Sequence, residues 1–345
     1  VLVAGAIRNP DPLWRCAMFV FVLRRLLQAC IVMLVVGFIA FSLFQYVGDP
    51  VLSMLGQDAT AEQREQLRRD LGLNDPFHVQ FMHFVGNAMQ GEFGVSYRQG
   101  RKVSELLAER FPATLELAVC AGVLALGTGI PMGVYTALRR NSLLSQIFMG
   151  VSLLGVSLPV FLLGIFMILL FAVLLGWLPS YGRGDVLRWQ GLSLGLLTAD
   201  GLRHLILPSI TLAIFQIALI MRMVRAEMLE VQRTDYIKFA RARGLREKMV
   251  NFTYALKNTL VPVITIVGLQ LGSLIAFAIV TETVFQWPGM GLLFIQSVQT
   301  ADIPIMAAYL VMISLVFVVI NLTVDLLYFA VDPRLRVERP TASRA

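Results

Sequence analysis

Six stretches of this chain carry no Asp, Glu, Lys or Arg, and they limit what it can fold into: residues 26–47, 117–138, 141–182, 205–221, 259–281 and 303–324. An α-helix rises about 1.5 Å per residue, so roughly 20 apolar residues cross about 30 Å of hydrocarbon. Four of the runs, of 22, 22, 23 and 22 residues, each fit one crossing. The run ending at Met221 has only 17 residues and Pro208 near its head, which makes it the weakest crossing. The run beginning at Asn141 has 42 residues and can hold one long helix or two short ones broken at Pro159.

Composition agrees with a membrane protein. The chain is 57% hydrophobic and 15% charged, against about 25% charged for soluble domains. That excludes a disordered tail or a disulfide-rich secreted module. The net charge of +7 is expected of basic cytoplasmic loops and is no argument for nucleic-acid binding. Cys16, Cys30 and Cys120 are read as free thiols.

The basic residues set the orientation. Arg15, Arg24 and Arg25 precede the first run, Arg139 and Arg140 follow the second, and Arg334, Arg336 and Arg339 follow the last. Residues 222–258 hold nine more. All four places are expected in the cytoplasm, so an even number of crossings separates Arg140 from Arg222. One crossing in the long run plus the short run supplies it. The expectation is an all-α polytopic membrane protein with six transmembrane helices and both termini cytoplasmic. Segment 48–113 then lies outside despite seven basic residues. At 66 residues, with nine acids, it is long enough to escape the charge rule. The first run is too long for a signal peptide and continues past Ala40 and Ser42, so it is read as retained. Residues 1–17 read as a loose cytoplasmic tail, or as an overlong start before Met18.

Loop 222–258 is the most informative stretch. Asp235 can cap a helix start, and Gly244 can supply the left-handed residue at its end. The helix between them spans about 8 residues, or about 12 Å. Its aromatic residues Tyr236 and Phe239 stand among the small residues Ala240 and Ala242, a surface able to enter a groove of a protein partner. A second helix after Gly244 places Met249, Phe252 and Leu256 on one face. The plainer alternative is a solvated basic loop.

At these residues the chain resembles a known family. The stretch from Asp235 through Tyr236, Ile237, Lys238, Phe239, Ala240, Arg241, Ala242, Arg243 and Gly244 to Leu245 resembles the EAA loop of binding-protein-dependent ABC permeases, in the form of the dipeptide, oligopeptide and nickel branch. Further matches are residues 18–27, Gly48-Asp49-Pro50, Gly91-Glu92-Phe93-Gly94-Val95-Ser96 and Pro112-Ala113-Thr114-Leu115-Glu116-Leu117-Ala118. Phe285-Gln286-Trp287-Pro288-Gly289-Met290-Gly291, residues 321–328 and Asp332-Pro333-Arg334-Leu335-Arg336 complete the set. Lys238 stands where the general motif has an acid, Ala255-Leu256-Lys257-Asn258 replaces its usual ending, and Glu92 replaces an aspartate.

The resemblance is to the B-type permease subunit, and it implies the type I importer permease fold in the bacterial inner membrane. It implies four regions: residues 1–17 as a tail, 18–112 as the first helix and the periplasmic segment, 113–330 as the core of five helices, and 331–345 as a cytoplasmic tail. It implies three kinds of partner: a paralogous C-type permease, two ATP-binding subunits, and a periplasmic or lipid-anchored substrate-binding protein. The coupling residues it implies are Asp235, Tyr236, Phe239, Ala240, Arg241, Ala242, Gly244, Leu245 and Asn258. The sequence has no G-x-x-x-x-G-K-[ST] phosphate loop, so ATP and Mg are expected on the partner subunits and no cofactor on this chain. The cargo stays open among dipeptides, longer peptides, glutathione-like molecules and nickel complexes.

Other residues carry alternative readings. Glu116 and Asp325, at the edges of runs, can pair across helices, line the path, or sit at the interface. Trp287-Pro288-Gly289 is either a turn with a headgroup-belt Trp or a gating element. Residues 60–72 read as a short charged helix. Residues 192–199 are apolar but too short to cross. Gly150, Gly155, Gly164, Gly268 and Gly272 are expected to allow close helix packing. His78 and His83 are five apart, which does not put them on one helical face, and no metal site is expected. A secondary transporter is the main rival, but it would favour two related halves with broken helices, and no internal repeat is present. A membrane enzyme would need convergent acid, base or nucleophile residues, and none stands out.

Overall fold

The computed structural model describes residues 12–47, 51, 60–70, 74–189 and 192–331. The Gly48-Asp49-Pro50 turn and the tail from Asp332 onward lie outside the described residues, as do residues 1–11. Helix α1 (Pro12–Val47) begins inside the stretch read as a loose tail. Helix α2 (Ala61–Asp70) is the short charged helix expected in the long segment. It starts with a reciprocal capping box: the Gln63 N–H donates to Thr60 Oγ1 and the Thr60 N–H to Gln63 Oε1. Helix α3 (Phe77–Met89) follows, and Phe77, Phe81 and Phe84 meet Phe38 and Phe41 of α1 with ring centroids 5.3 to 5.8 Å apart. Aromatic packing thus ties the first helix to the long segment.

Helices α4 (Val103–Leu138) and α5 (Leu143–Ser157) come next. After a break at Leu158 and Pro159, α6 (Val160–Met167) passes into a π-helical stretch, Ile168–Leu174. The two halves of the 42-residue run meet at 112°, a sharper turn than a proline kink inside a continuous helix makes. The apolar stretch read as interfacial, residues 192–199, begins with the second strand of an antiparallel hairpin, β1 (Leu187–Trp189) and β2 (Leu192–Leu194). Periodicity alone did not mark it.

Helix α7 (Ala199–Val231) shows why the shortest run crosses. Thr198 caps it by accepting from the Gly201 N–H at 3.0 Å, and the helix continues through Pro208 and the charged residues beyond Met221, for 33 residues in all. Helix α8 (Asp235–Ala242) sits in the basic loop. An α-turn at Glu247–Met249 and a π-helical stretch, Val250–Ala255, lead into α9 (Leu256–Val284). Helices α10 (Met290–Gln299) and α11 (Ile303–Val331) end the described chain.

Among the described residues, four segments are long and apolar enough to cross a membrane: Val22–Ser42, Val103–Leu138, Ala199–Val231 and Ile303–Leu326. The bent pair of α5 and α6 is a fifth if counted as one broken span. Helix α9, at 29 residues, is about 43 Å long.

The centre of the fold is the contact of α4 with α7. A methyl added at Gly133 would lie 2.6 Å from Val224 Cβ, and one at Gly129 would lie 3.0 Å from Ile220. Small residues are what let two backbones approach this closely in lipid, yet these two were not among the glycines expected to do so. Of those that were, Gly155 abuts Ile214, Gly164 abuts Val284, and Gly268 and Gly272 abut Val324 and Phe317 of α11. Gly150 has nothing within 4 Å of an added Cβ, so it packs closely against no other helix among the described residues of this chain. One buried core runs the length of the molecule, from Trp287 and Ala113 past Leu212 and Val224 to Ile237 and Val250.

Candidate functional site

The end of the molecule that carries the basic loop is built around α8. Thr234, not Asp235, occupies its N-cap position, and its hydroxyl donates to the Val231 carbonyl instead of capping. Asp235 is the first helical residue and accepts from Lys238 Nζ at 2.8 Å. That bond and the lysine charge hold the Asp235 carboxyl below its ordinary pKa. A negative side chain in the first turn also suits the helix dipole.

The other end of α8 closes as Gly244 foretold. Gly244 has φ +74°, its N–H donates to the Arg241 carbonyl, and the Leu245 N–H donates to the Ala240 carbonyl. Those two bonds form a Schellman motif, with Leu245 packed against the core. Arg241 reaches Glu247 at 3.0 Å. Asn258 Nδ2 donates to Tyr236 Oη at 2.9 Å, fastening α8 to the start of α9.

Helix α8 therefore has two faces. Ile237 and Ala240 are buried in the chain's own core, so Ala240 belongs to the inner face and not to the outward surface read from sequence. Tyr236, Phe239 and Ala242 point outward. Beyond Gly244 the π-helical stretch changes the phase. Met249 and Phe252 stay exposed, whereas Leu256 packs on the core, so the single face expected for these three is split. Tyr236, Phe239, Met249, Phe252 and Tyr254 form an exposed apolar set, led by Phe239 at 64% exposure.

The opposite end is held by buried polar groups. Trp287 is fully buried, and its Nε1 donates to the Ala113 carbonyl at 2.9 Å. Glu282 is fully buried too. It accepts from Thr114 Oγ1 at 2.6 Å and from the Leu292 N–H at 3.0 Å, and the Gly291 N–H also bonds to it. Thr114 Oγ1 in turn accepts from the Met290 N–H at 2.8 Å. A carboxylate thereby takes up the open N–H groups at the start of α10, where the helix dipole favours negative charge. A Cβ at Gly289 would collide with the Glu282 carboxylate, and one at Gly291 with the Ile279 backbone.

Sequence comparison follows this geometry. Residues 129–337 match the family described as "Binding-protein-dependent transport system inner membrane component", and residues 18–118 match its N-terminal region. The chain belongs to this family. Relatives include the dipeptide transport system permease protein DppB of Alkalihalophilus pseudofirmus, 36% identical over 92% of this chain and 100% of the relative. DppB of Escherichia coli is 37% identical over 92% and 99%. The glutathione transport system permease protein GsiC of Escherichia coli is 38% identical over 92% and 98%. Among solved structures, the inward-facing MetNI methionine ABC transporter superposes with a TM-score of 0.52 at 20% identity, over 66% of this chain and 97% of that one. That likeness shows the importer permease fold. The chain is thus an inner-membrane permease component and not an enzyme.

The remaining family motifs find physical reasons in this permease. In the segment 91–96, Gly94 has φ +82°, and Ser96 Oγ and the N–H groups of Tyr97 and Arg98 all donate to the Asp302 carboxylate before α11. Burial, with Asp302 adding to it, pushes the Tyr97 phenol up to about 12. Glu116 is buried in an ion pair with Arg183, at 2.6 Å, and also accepts from the Leu196 N–H. Arg183 further donates to the Ser193 carbonyl at 2.6 Å, locking the hairpin onto α4. Asp325 pairs with Arg25 of α1 at 3.0 Å. Trp287 is therefore no headgroup-belt residue, and Pro288 and Gly289 form the turn that seats it. Cys30 and Cys120 are free.

Sequence reasoning missed Glu282, Arg183, Asp302 and Ile237. Glu282 did leave a signal, since it is the sole acid between Glu247 and Asp302.

Proposed function

We propose that this chain pairs with a paralogous permease subunit to form the path of an ATP-driven importer of dipeptides or short peptides. An external binding protein delivers the cargo, and two ATP-binding subunits, carrying ATP and Mg, dock on the cytoplasmic side. One observation carries the docking assignment: α8 is fixed at both ends and bound to the core through Ile237 and Ala240, while Tyr236, Phe239, Met249 and Phe252 stay exposed. A rigid knob with an apolar outer face transmits displacement to α7 and α9, which it joins. The relatives' names support peptides as cargo, and GsiC keeps glutathione, itself a peptide, within the same class. In this reading six helices cross and both termini are cytoplasmic, the regions being 1–17, 18–112, 113–330 and 331–345.

Reconstitution tests the proposal. The chain, its C-type partner, the ATPase pair and the binding protein in proteoliposomes take up labelled dipeptide only with ATP. Uptake that ignores ATP and follows a proton gradient sinks the reading in favour of a secondary transporter. An Arg241→Cys variant in intact cells stays unlabelled by a membrane-impermeant maleimide; labelling from outside reverses the topology.

A further inference from the structure

The break between α5 and α6 encloses a cavity of about 160 Å³, lined by Leu158, Pro159 and Val160 of the break, Leu212 and Gln216 of α7, and Phe277 of α9. Gln216 lies near the middle of α7, and its neighbour Gln270 lies near the middle of α9. Both are thus far from either membrane surface, where a polar side chain is costly unless it faces protein or a water-filled path. Irregular backbone such as the 112° break is likewise tolerated at that depth only where it is buried or lines a cavity.

Gln216 is 3% exposed, and only half of its amide is used. Its Nε2 donates to Ser273 Oγ at 3.1 Å and to the Gln270 carbonyl at 3.4 Å. The Gln270 carbonyl fixes the orientation, because a flipped amide would set two oxygens against each other. Ser273 spends its own proton on Gln270. That leaves Gln216 Oε1 as a buried acceptor without a donor. Such a group costs about 1–3 kcal/mol while unpaired, so its presence calls for a partner that comes and goes. The same cavity is lined by Val160, the first residue of α6, whose N–H has no intrahelical acceptor, while Pro159 before it has no N–H to offer. One acceptor and one donor, Gln216 Oε1 and the Val160 N–H, beside apolar walls complement a peptide group, which carries one N–H, one C=O and an apolar side chain.

We propose that this cavity is a cargo subsite in the translocation path, in which Gln216 Oε1 accepts a hydrogen bond from a peptide N–H of the passing substrate. The inference rests on the peptide-importer reading given above. Leu158 and Phe277, exposed on the chain, form the mouth of the subsite toward the path, and the Val160 N–H donates to the cargo carbonyl.

The test uses the complete transporter in proteoliposomes and two dipeptides, Ala-Ala and its analogue methylated on the peptide nitrogen, with wild type and Gln216→Leu. Leucine fills the same space and removes the acceptor. The variant lowers Ala-Ala uptake about tenfold, the loss expected for one buried hydrogen bond, and leaves uptake of the methylated analogue unchanged. Equal loss for both peptides, or no loss for either, overturns the subsite. A dipeptide containing benzoylphenylalanine, irradiated during turnover, attaches to residues 156–160 or Phe277; adducts confined to other segments also overturn it, and this arm decides if the binding protein refuses the methylated peptide. Failure of wild type to take up any peptide sinks the importer reading itself, whereas normal peptide uptake by Gln216→Leu sinks the subsite alone.

Discussion

Trp287 donates its indole N–H to the Ala113 carbonyl at 2.9 Å, inside a site from which both are shielded. The bond joins two sequence motifs, residues 112–118 and 285–291, that lie 174 positions apart. Trp287→Phe keeps most of the ring and abandons the carbonyl, which costs about 1–2 kcal/mol. Thermal unfolding of the purified permease reads this as a lower midpoint with transport retained. An unchanged midpoint would show that water or a neighbour replaces the indole.

Glu116 and Arg183 test the charge economy of the same end. Both are almost fully buried, and stripping one partner from a buried pair costs about 3–5 kcal/mol, whereas replacing both with apolar residues costs far less. Glu116→Gln and Arg183→Met each lower the folded yield in detergent, and the double variant Glu116→Leu with Arg183→Met recovers most of it. Additive losses in the double variant would refute this.

Two glycines separate tight packing from open space. Gly133→Ala places a methyl against Val224 and the Met221 carbonyl, while Gly150→Ala meets nothing within 4 Å. The first destabilises by about 1–3 kcal/mol and the second is neutral or slightly stabilising, since alanine is the better helix former. Denaturation midpoints of the two variants decide it.

The knob separates into coupling and folding residues. Phe239→Asp or Phe252→Asp leaves insertion and yield intact but abolishes ATP-dependent uptake and co-purification of the ATPase. Ile237→Asp buries an unpaired charge in the core and lowers the yield itself. Gly244→Pro demands a negative φ where the chain has +74°, so it breaks the Schellman turn and uncouples transport. Normal uptake by Phe239→Asp would remove the docking surface from the account.

Tyr97 gives a pH signature at alkaline pH. Its phenol is raised to about 12 in the fold, against about 10 in an unfolded chain. Its contribution to stability is therefore complete below about pH 10 and is lost as pH rises toward 12. The difference in tyrosinate absorbance between wild type and Tyr97→Phe isolates this group, and Asp302→Asn moves its midpoint down by removing the nearby negative charge. A midpoint near the ordinary tyrosine value in wild type contradicts the buried environment.

The permease shows two kinds of information in one chain. Apolar run length, the Arg and Lys distribution and the glycine at 244 are local quantities, so the sequence alone determined a helical membrane protein and a basic loop with a short helix ended by glycine, whereas it left the long run open between one helix and two broken at Pro159, and the structure decided for the break. The side on which a residue of α8 falls is not local. Ala240 turned inward and Phe239 outward because Ile237 had a core to enter, and the π-helical turn after Val250 rotated Phe252 away from Leu256. Likewise the acid at 282 and the tryptophan at 287 were visible as residue types, but their partners, Thr114 and Ala113, come from a helix far away along the chain. Hydrogen bonds over such separations depend on how helices pack, and packing in lipid is governed by close approach of small residues such as Gly133 and by burial of polar groups, neither of which leaves a periodic mark in the sequence.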